Sequence, residues 1–286
     1  MSGGRNNNPL RQASNVGRNY KITMTQYELV HRVYSENTNE IDERIGKSKF
    51  PVTFQVLKLF SLKINDILKS LQSIEANQSF YSSQGLTRIL YEHYLVAYFI
   101  WTKCRVDDND ECAIDYKQYY AIYEMIKQQN YNSKLDKSYD LTKTPLQNFL
   151  IKVPELDDPD NPLNQDNFTD INTRANKFDI RKILQYMQDS LDPNDYFKSL
   201  HVLVHDVCKK YNKTSSYVHG GRMAELEAFE NTPPIDKSKI LNDNVEFAKI
   251  FSYQILDFIM MLLLLEDKSF IKTYQPIYDF INKDRH

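Results

Sequence analysis

Apolar residues recur every three or four positions along several long stretches of this chain, and no stretch shows convincing alternation with a period of two. This spacing puts apolar side chains on one face of an α-helix. It is clearest in residues 52–74 and 236–266, whereas residues 80–104 are apolar on nearly every side. We therefore expect an all-α, multi-helix bundle in which residues 80–104 form the central apolar helix.

Glycine is scarce, and its scarcity argues against functions that depend on glycine-rich nucleotide-binding loops. The chain has 7 glycines among 286 residues, and three of them lie within the first 17 positions. Tight hairpins and phosphate-cradling loops need glycine for positive φ or for close approach of the backbone. Neither GxGxxG nor GxxxxGK[ST] occurs, so the sequence argues against a Rossmann or P-loop nucleotide site and predicts no cofactor.

The organisation expected from the sequence is a basic tail followed by one helical domain. Residues 1–20 carry arginines and no acid. We expect this tail to be disordered and solvated, with an arm that touches RNA or DNA phosphates as the alternative. Residues 21–286 are expected to form a single helical domain, which is interrupted by an acidic, proline-rich loop at about residues 153–170.

Composition also bears on the compartment. The net charge of −2 gives no general attraction to nucleic acid or to an anionic membrane, and the three cysteines form no CxxC pair. The N-terminal residues lack the apolar core of a signal peptide. The most lipid-like stretch, residues 258–265, is much shorter than the roughly 20 residues of a spanning helix. We expect a cytoplasmic protein with reduced cysteines and no membrane partner.

Arg88 and Glu92 are charged residues four apart in the helix that is otherwise apolar. Charges with apolar neighbours on all sides need partners. Their order, with the base first, is the weaker one for local helix stabilisation, so a tertiary contact or a site is favoured. Two interpretations remain open, namely a buried ion pair between helices and a polar functional centre.

A second polar segment, YNKTSSYVHGGR, begins at Tyr211. If the helix continues through it, Tyr211, Ser215 and His219 lie on one stripe, and Ser216 stands three residues before His219. The glycines at 220–221 are expected to end the helix. A histidine in the last turn lies near the negative end of the helix dipole and can act as acid or base near neutral pH. The alternative is a capping histidine with hydrogen-bonded serines.

Two further histidines, His201 and His205, are four residues apart in HVLVHD. Histidines at this spacing on a helix can bind one metal ion. No HExxH glutamate accompanies them, and the pair flanks an apolar face. The sequence therefore predicts no metal, and a site at this pair is only a lesser alternative to packing or surface histidines.

The two polar segments together carry a resemblance. R-x3-E within an apolar helix, followed by S-x2-H, is similar to a bacterial family of all-helical domains of unknown function. That family is loosely grouped with the HEPN superfamily of helical ribonucleases and with mobile or defence genes. The resemblance covers about residues 50–230. The matching positions are Arg88, Glu92, Ser216 and His219.

The HEPN signature itself, R-x4–6-H, is matched by Arg88 and His93. The later histidine departs from it, because Lys213 rather than an arginine precedes His219 at the allowed distance.

The resemblance implies a metal-independent ribonuclease, or a related effector of a bacterial defence or toxin system. In that hypothesis His219, or with less weight His93, moves a proton, and Arg88 with Arg222 stabilises charge on the phosphate. The residues that would position RNA are Tyr211, Ser215 and Ser216.

The other hypothesis is a non-catalytic helical interaction module. Its buried polar network would fix the packing of the helices. The network would comprise Arg88, Glu92, Ser216 and His219. The expected partner is RNA for the first hypothesis and a protein or small ligand for the second. A homodimer that places two such sites face to face would favour the first hypothesis. Whether the chain is an enzyme stays open at this stage.

Overall fold

The structure is a computed structural model that describes residues 26–120, 123–125, 128, 142, 165–190 and 198–282. The expected basic tail, residues 1–20, and most of the expected acidic loop lie outside these residues. Of the residues that the structure describes, 90% are helical and none is in a strand. The prediction of an all-α bundle is therefore confirmed.

The helices follow one another along the chain, and short π-helical or 3-10 turns extend three of them. In order they are α1 (26–36), α2 (Thr38–Lys47), α3 (Pro51–Ala76), α4 (Phe80–Asp107), α5 (Glu111–Asp115), α6 (Gln165–Asn176), α7 (Ile180–Ser190), α8 (Lys198–Val218), α9 (Arg222–Glu225), α10 (Pro234–Glu266) and α11 (Ile271–Asn282). The additional turns are Tyr116–Tyr120 after α5, Leu226–Asn231 after α9 and Lys268–Phe270 before α11.

The chain divides into two compact units. The first joins Met1–Tyr98 to Ser199–His286, and the second is Phe99–Lys198. The expectation of a single domain for residues 21–286 stays a prediction.

The core of the first unit is built from α3, α4 and α10. α10 packs along α3, and the rings of Tyr91 and Tyr94 on α4 contact Phe251 on α10. The ring centres of Tyr94 and Phe251 are 4.0 Å apart and the rings are nearly parallel. Aromatic pairs in this arrangement add to the stabilisation that burial of their area gives. α4 is thus the central apolar helix that the sequence predicted.

α10 is the longest described helix, as the spacing of residues 236–266 predicted. Among the described residues, it is the one helix long and apolar enough to cross a membrane, with a mean hydropathy of 1.7 in its most apolar window. Of that window, 67% is buried inside the protein. A core helix of a folded domain passes the same test of length and composition.

The second unit contains a buried acid that two bases neutralise. The Asp115 side chain is 6% exposed, and Arg174 donates to it at 3.2 Å. Lys177 also pairs with this carboxylate. Close by, the ring of Phe178 packs against the rings of Phe99 and Tyr116. These contacts hold the residues around α6 against the segment that follows α5.

The last residues of the expected acidic loop lie within a helix. The loop was expected to reach about residue 170, but α6 already begins at Gln165. The physical reason is an amphipathic pattern, since Ile171 and Ala175 are four residues apart and both are buried.

Candidate functional site

α4 presents one strip of residues to solvent between its neighbours in the first unit. The strip follows helical spacing, with Ser82, Gly85, Ile89 and Glu92 about one turn apart. Ser82 and Ile89 are exposed, and Glu92 is half-buried. A Cβ atom added at Gly85 would meet nothing within 4 Å, so the surface is open there. Two predicted site residues, Arg88 and His93, stand at the edges of this strip.

Arg88 lies at the edge that faces α8. Its Nη1 donates to Glu92 Oε2, and its Cζ is 3.7 Å from the centre of the Tyr211 ring. The Arg88 side chain is 14% exposed, compared with 36% for Glu92. The guanidinium is thus enclosed by a carboxylate and an aromatic face. The structure brings these three predicted residues together.

His93 lies at the other edge, which faces α3. Its ring centre is 5.8 Å from that of Phe60, and Lys63 Nζ is 5.1 Å from the centre of the same Phe60 ring. Burial, together with the charge of Lys63, lowers the pKa of His93 to about 4, and the charge of Glu92 opposes the shift. Burial also lowers the pKa of Lys63. The His93 imidazole is therefore uncharged at neutral pH.

Contacts with α8 set the register of the two polar segments. Tyr81 Oη donates to the carbonyl oxygen of Tyr217 at 3.0 Å, while Arg88 contacts Tyr211. The later residue on α4 meets the earlier one on α8, so the helices are antiparallel. Tyr81 and Arg88 are seven residues apart, which corresponds to about 10 Å along a helix axis. The segment after Tyr217 therefore lies level with the beginning of α4, away from Arg88.

Ser215, Ser216 and His219 lie at the end of α8. Ser216 Oγ donates to the carbonyl oxygen of Lys213 at 3.1 Å. The backbone N–H of His219 donates to the carbonyl oxygen of Ser215 at 3.4 Å, and His219 is exposed. These bonds satisfy backbone groups at the helix end. Within the described parts of the chain, no hydrogen bond or ion pair joins Arg88 or Glu92 to Ser216 or His219.

The predicted stop of α8 is confirmed. The helix ends at Val218, and Gly220 has φ of +61°. The N–H of Gly221 donates to the carbonyl oxygen of Ser216 at 2.9 Å. A left-handed glycine just beyond the last helical residue is a common way to close a helix.

Arg222 and the histidine pair lie elsewhere in the first unit. Arg222 is exposed, and its guanidinium donates to Glu225 at 3.1 Å and to Glu230 at 3.2 Å. His205 is exposed on α8, and the side chain of His201 is outside what the structure describes. In the described residues, no group of three or more His, Cys, Asp and Glu side chains could hold a metal ion.

Two features were missed by sequence reasoning. Lys63 could have been found only from the register of α3 on α4, which brings it beside His93. The second is a run of exposed large apolar side chains around α9, which we call the 218–235 corner. A signal for it was available, because Val218 stands near the glycines that end α8 and Ile235 follows the prolines that begin α10. The exposed residues are Val218, Met223, Phe229 and Ile235.

The α4 strip and its edges, with Lys63 from α3, offer two cations, one carboxylate and one uncharged imidazole at half-buried positions. Such a set can hold an anion, move a proton or simply fix helix packing. The resemblance to HEPN-like proteins stays a prediction. No family model, no curated protein and no solved structure matches this chain.

Proposed function

We propose that this chain is a non-catalytic helical interaction module. The observation that supports it is the enclosure of Arg88 between Glu92 and the Tyr211 ring. A guanidinium that contacts both groups joins α4 to α8, and an Arg88 side chain that is 14% exposed has little surface left for a substrate. His219, which a nuclease centre would share with Arg88, stands exposed at the far end of α8.

The surface that we assign to the partner is the 218–235 corner. Its four large apolar side chains are between 51% and 79% exposed. Apolar residues scattered singly over a surface are normal, whereas several in one region mark interaction sites. Phe229 is also fixed in orientation, because its ring stacks on Tyr81 with the ring centres 5.8 Å apart.

The partner that we assign to this corner is a second copy of the chain. A twofold interface uses the same patch on both subunits, so the patch must be complementary to itself. The corner carries both signs of charge side by side, since Arg222 pairs with Glu225 and Glu230. Lys213 likewise pairs with Glu227. Across a twofold axis each base can meet an acid of the other copy.

Light scattering over a range of protein concentrations tests this assignment. We expect the wild-type chain to pass from monomer to dimer, and the double variant Met223→Ser/Phe229→Ser to stay monomeric. Leu62→Ser is the matched control, because Leu62 is 68% exposed on α3. It should dimerise as the wild type does. A wild-type chain that is monomeric throughout would rule out self-association through this corner.

The second candidate is a metal-independent ribonuclease or defence effector. The observation that favours it is the placement of Lys63 with His93 at one edge of the α4 strip and of Arg88 at the other edge. The two cations can bind a phosphate, and the imidazole can remove a proton from a 2′-hydroxyl. An imidazole with a pKa of about 4 is a weak base at neutral pH, so this candidate ranks second.

An RNA-degradation assay with EDTA present separates the two candidates. The module should leave RNA intact at every concentration tested. RNA cleavage by the wild type that is lost in His93→Ala would refute the interaction module and support a nuclease at the α4 strip. Cleavage that is lost in His219→Ala but not in His93→Ala would assign the chemistry to the end of α8.

A further inference from the structure

Lys63 and His93 form a half-buried pair of nitrogen groups that has no polar partner in the described residues. Both side chains contact the ring of Phe60, with the Lys63 ammonium at 5.1 Å and the His93 ring centre at 5.8 Å. No ion pair with Lys63 and no hydrogen bond to the His93 ring is formed within the described ranges. Glu92, which precedes His93 in the chain, is engaged by Arg88.

Binding of an anion between these two nitrogens would be favourable, because no opposite charge in the described residues pairs with them. Charged groups that leave water are normally compensated by an opposite charge. Burial lowers the pKa of Lys63 and of His93, and the charge of Lys63 lowers that of His93 again. Each cause disfavours positive charge at this position. A negative group placed between the two nitrogens would offset all of them at once.

The surroundings leave room for such a group. Ile89, one turn before His93 on α4, is 41% exposed. One turn earlier, the space beside Gly85 is open. The α4 strip is therefore open to solvent one and two turns before His93. Phe60 forms an apolar floor, over which a charge is poorly screened by water and is attracted more strongly to Lys63.

We propose that Lys63 and His93 form an anion-binding site that takes a phosphate group, with Lys63 as the charge partner and His93 as a hydrogen-bond donor. Lysine binds phosphate as a point charge, and a neutral imidazole donates from one ring nitrogen. This site goes beyond the proposed interaction module and does not depend on self-association.

The test follows the His93 ring by NMR while inorganic phosphate is added at constant ionic strength. Phosphate should raise the pKa of His93 by about one unit. By linkage, this means that phosphate binds about tenfold more tightly when the ring is protonated than when it is neutral. His205, exposed on α8, serves as the internal control and should not respond. A His93 ring that titrates identically with and without phosphate would overturn the proposal.

Two variants show whether Lys63 carries the effect. Lys63→Met keeps an unbranched chain over Phe60 and removes the charge, so the response of His93 to phosphate should disappear. The pKa of His93 should also rise in the absence of phosphate, because one cause of its lowering is removed. Lys69→Met, at an exposed position of α3, should respond as the wild type does. An unchanged phosphate response in Lys63→Met would also overturn the proposal.

Discussion

The guanidinium carbon of Arg88 lies 3.7 Å from the centre of the Tyr211 ring, while Nη1 of the same residue pairs with Glu92. The contact joins α4 to α8 at a point where α4 is otherwise apolar. A cation over an aromatic face contributes about 0.5–2 kcal/mol, and more as water is excluded. Arg88 therefore packs α4 against α8 and also pairs with the charge of Glu92 on α4.

Replacing Glu92 by alanine should destabilise the protein by about 1–3 kcal/mol, because Arg88 would keep a mostly buried charge without its carboxylate. The cost falls below that of a fully buried pair, since Glu92 is 36% exposed. Glu43→Ala is the matched control. Glu43 pairs with Lys47 at the same spacing, but both are largely exposed, so its loss should cost much less than the loss of Glu92. Urea unfolding measures both, and equal losses would contradict the enclosure of Arg88.

A double-mutant cycle on Arg88→Met and Tyr211→Leu should give a coupling energy of about 1 kcal/mol. Each substitution keeps an apolar side chain of similar bulk, so the cycle reports the charge–ring contact rather than a cavity. The measurement is the free energy of unfolding of the two single variants and the double variant. Additive losses would mean that the ring and the guanidinium do not stabilise each other.

Local features of this fold could be predicted from the sequence. The spacing of apolar residues located α4 and α10, because a helix that buries one face must repeat that spacing. Glycine at 220 marked the end of α8, since only glycine adopts positive φ without steric cost. Arg88 and Glu92 were also recognised as a pair, because four residues separate neighbours on a helix surface.

Features that depend on contacts between helices could not be predicted. The sequence joined Arg88 to Ser216 and His219, but the register of α8 on α4 is set by contacts such as Tyr81 with Tyr217. No periodicity encodes that register. Asp115 is a similar case, because its burial depends on bases 59 and 62 residues further along the chain.

Gly220→Ala should cost about 1 kcal/mol, because alanine must adopt the left-handed conformation of φ +61°. Gly221→Ala should be nearly neutral. Its φ is −69°, and an added Cβ would meet Ser216 at ordinary contact distances of 3.5 Å or more. Thermal denaturation of the two variants checks the difference. Equal losses at both glycines would show that the helix end does not depend on the left-handed residue.

Asp257 is a carboxyl buried between α10 and α11. It is 8% exposed, and Tyr274 Oη donates to its Oδ1 at 2.8 Å. Burial raises its pKa to about 6, and the Tyr274 hydrogen bond opposes the shift. An ionised Asp257 therefore opposes folding, and the hydrogen bond from Tyr274 offsets only part of that cost.

The contribution of Asp257 to stability should fall as pH rises. In the unfolded chain this carboxyl loses its proton near its ordinary pKa of 3.8, and in the folded protein near about 6. Between these values the folded state binds more protons, so its stability is greatest below the lower value and is lost as pH rises through the upper one. A shift of this size corresponds to roughly 3 kcal/mol as an upper figure.

Asp257→Asn keeps the acceptor for Tyr274 and carries no charge. Urea unfolding should find this variant more stable than the wild type at about pH 8 and similar to it at about pH 4. Asp66→Asn, on the exposed side of α3, should follow the wild type at both values. A wild-type advantage over Asp257→Asn that grows towards about pH 8 would mean that the ionised carboxylate stabilises the fold.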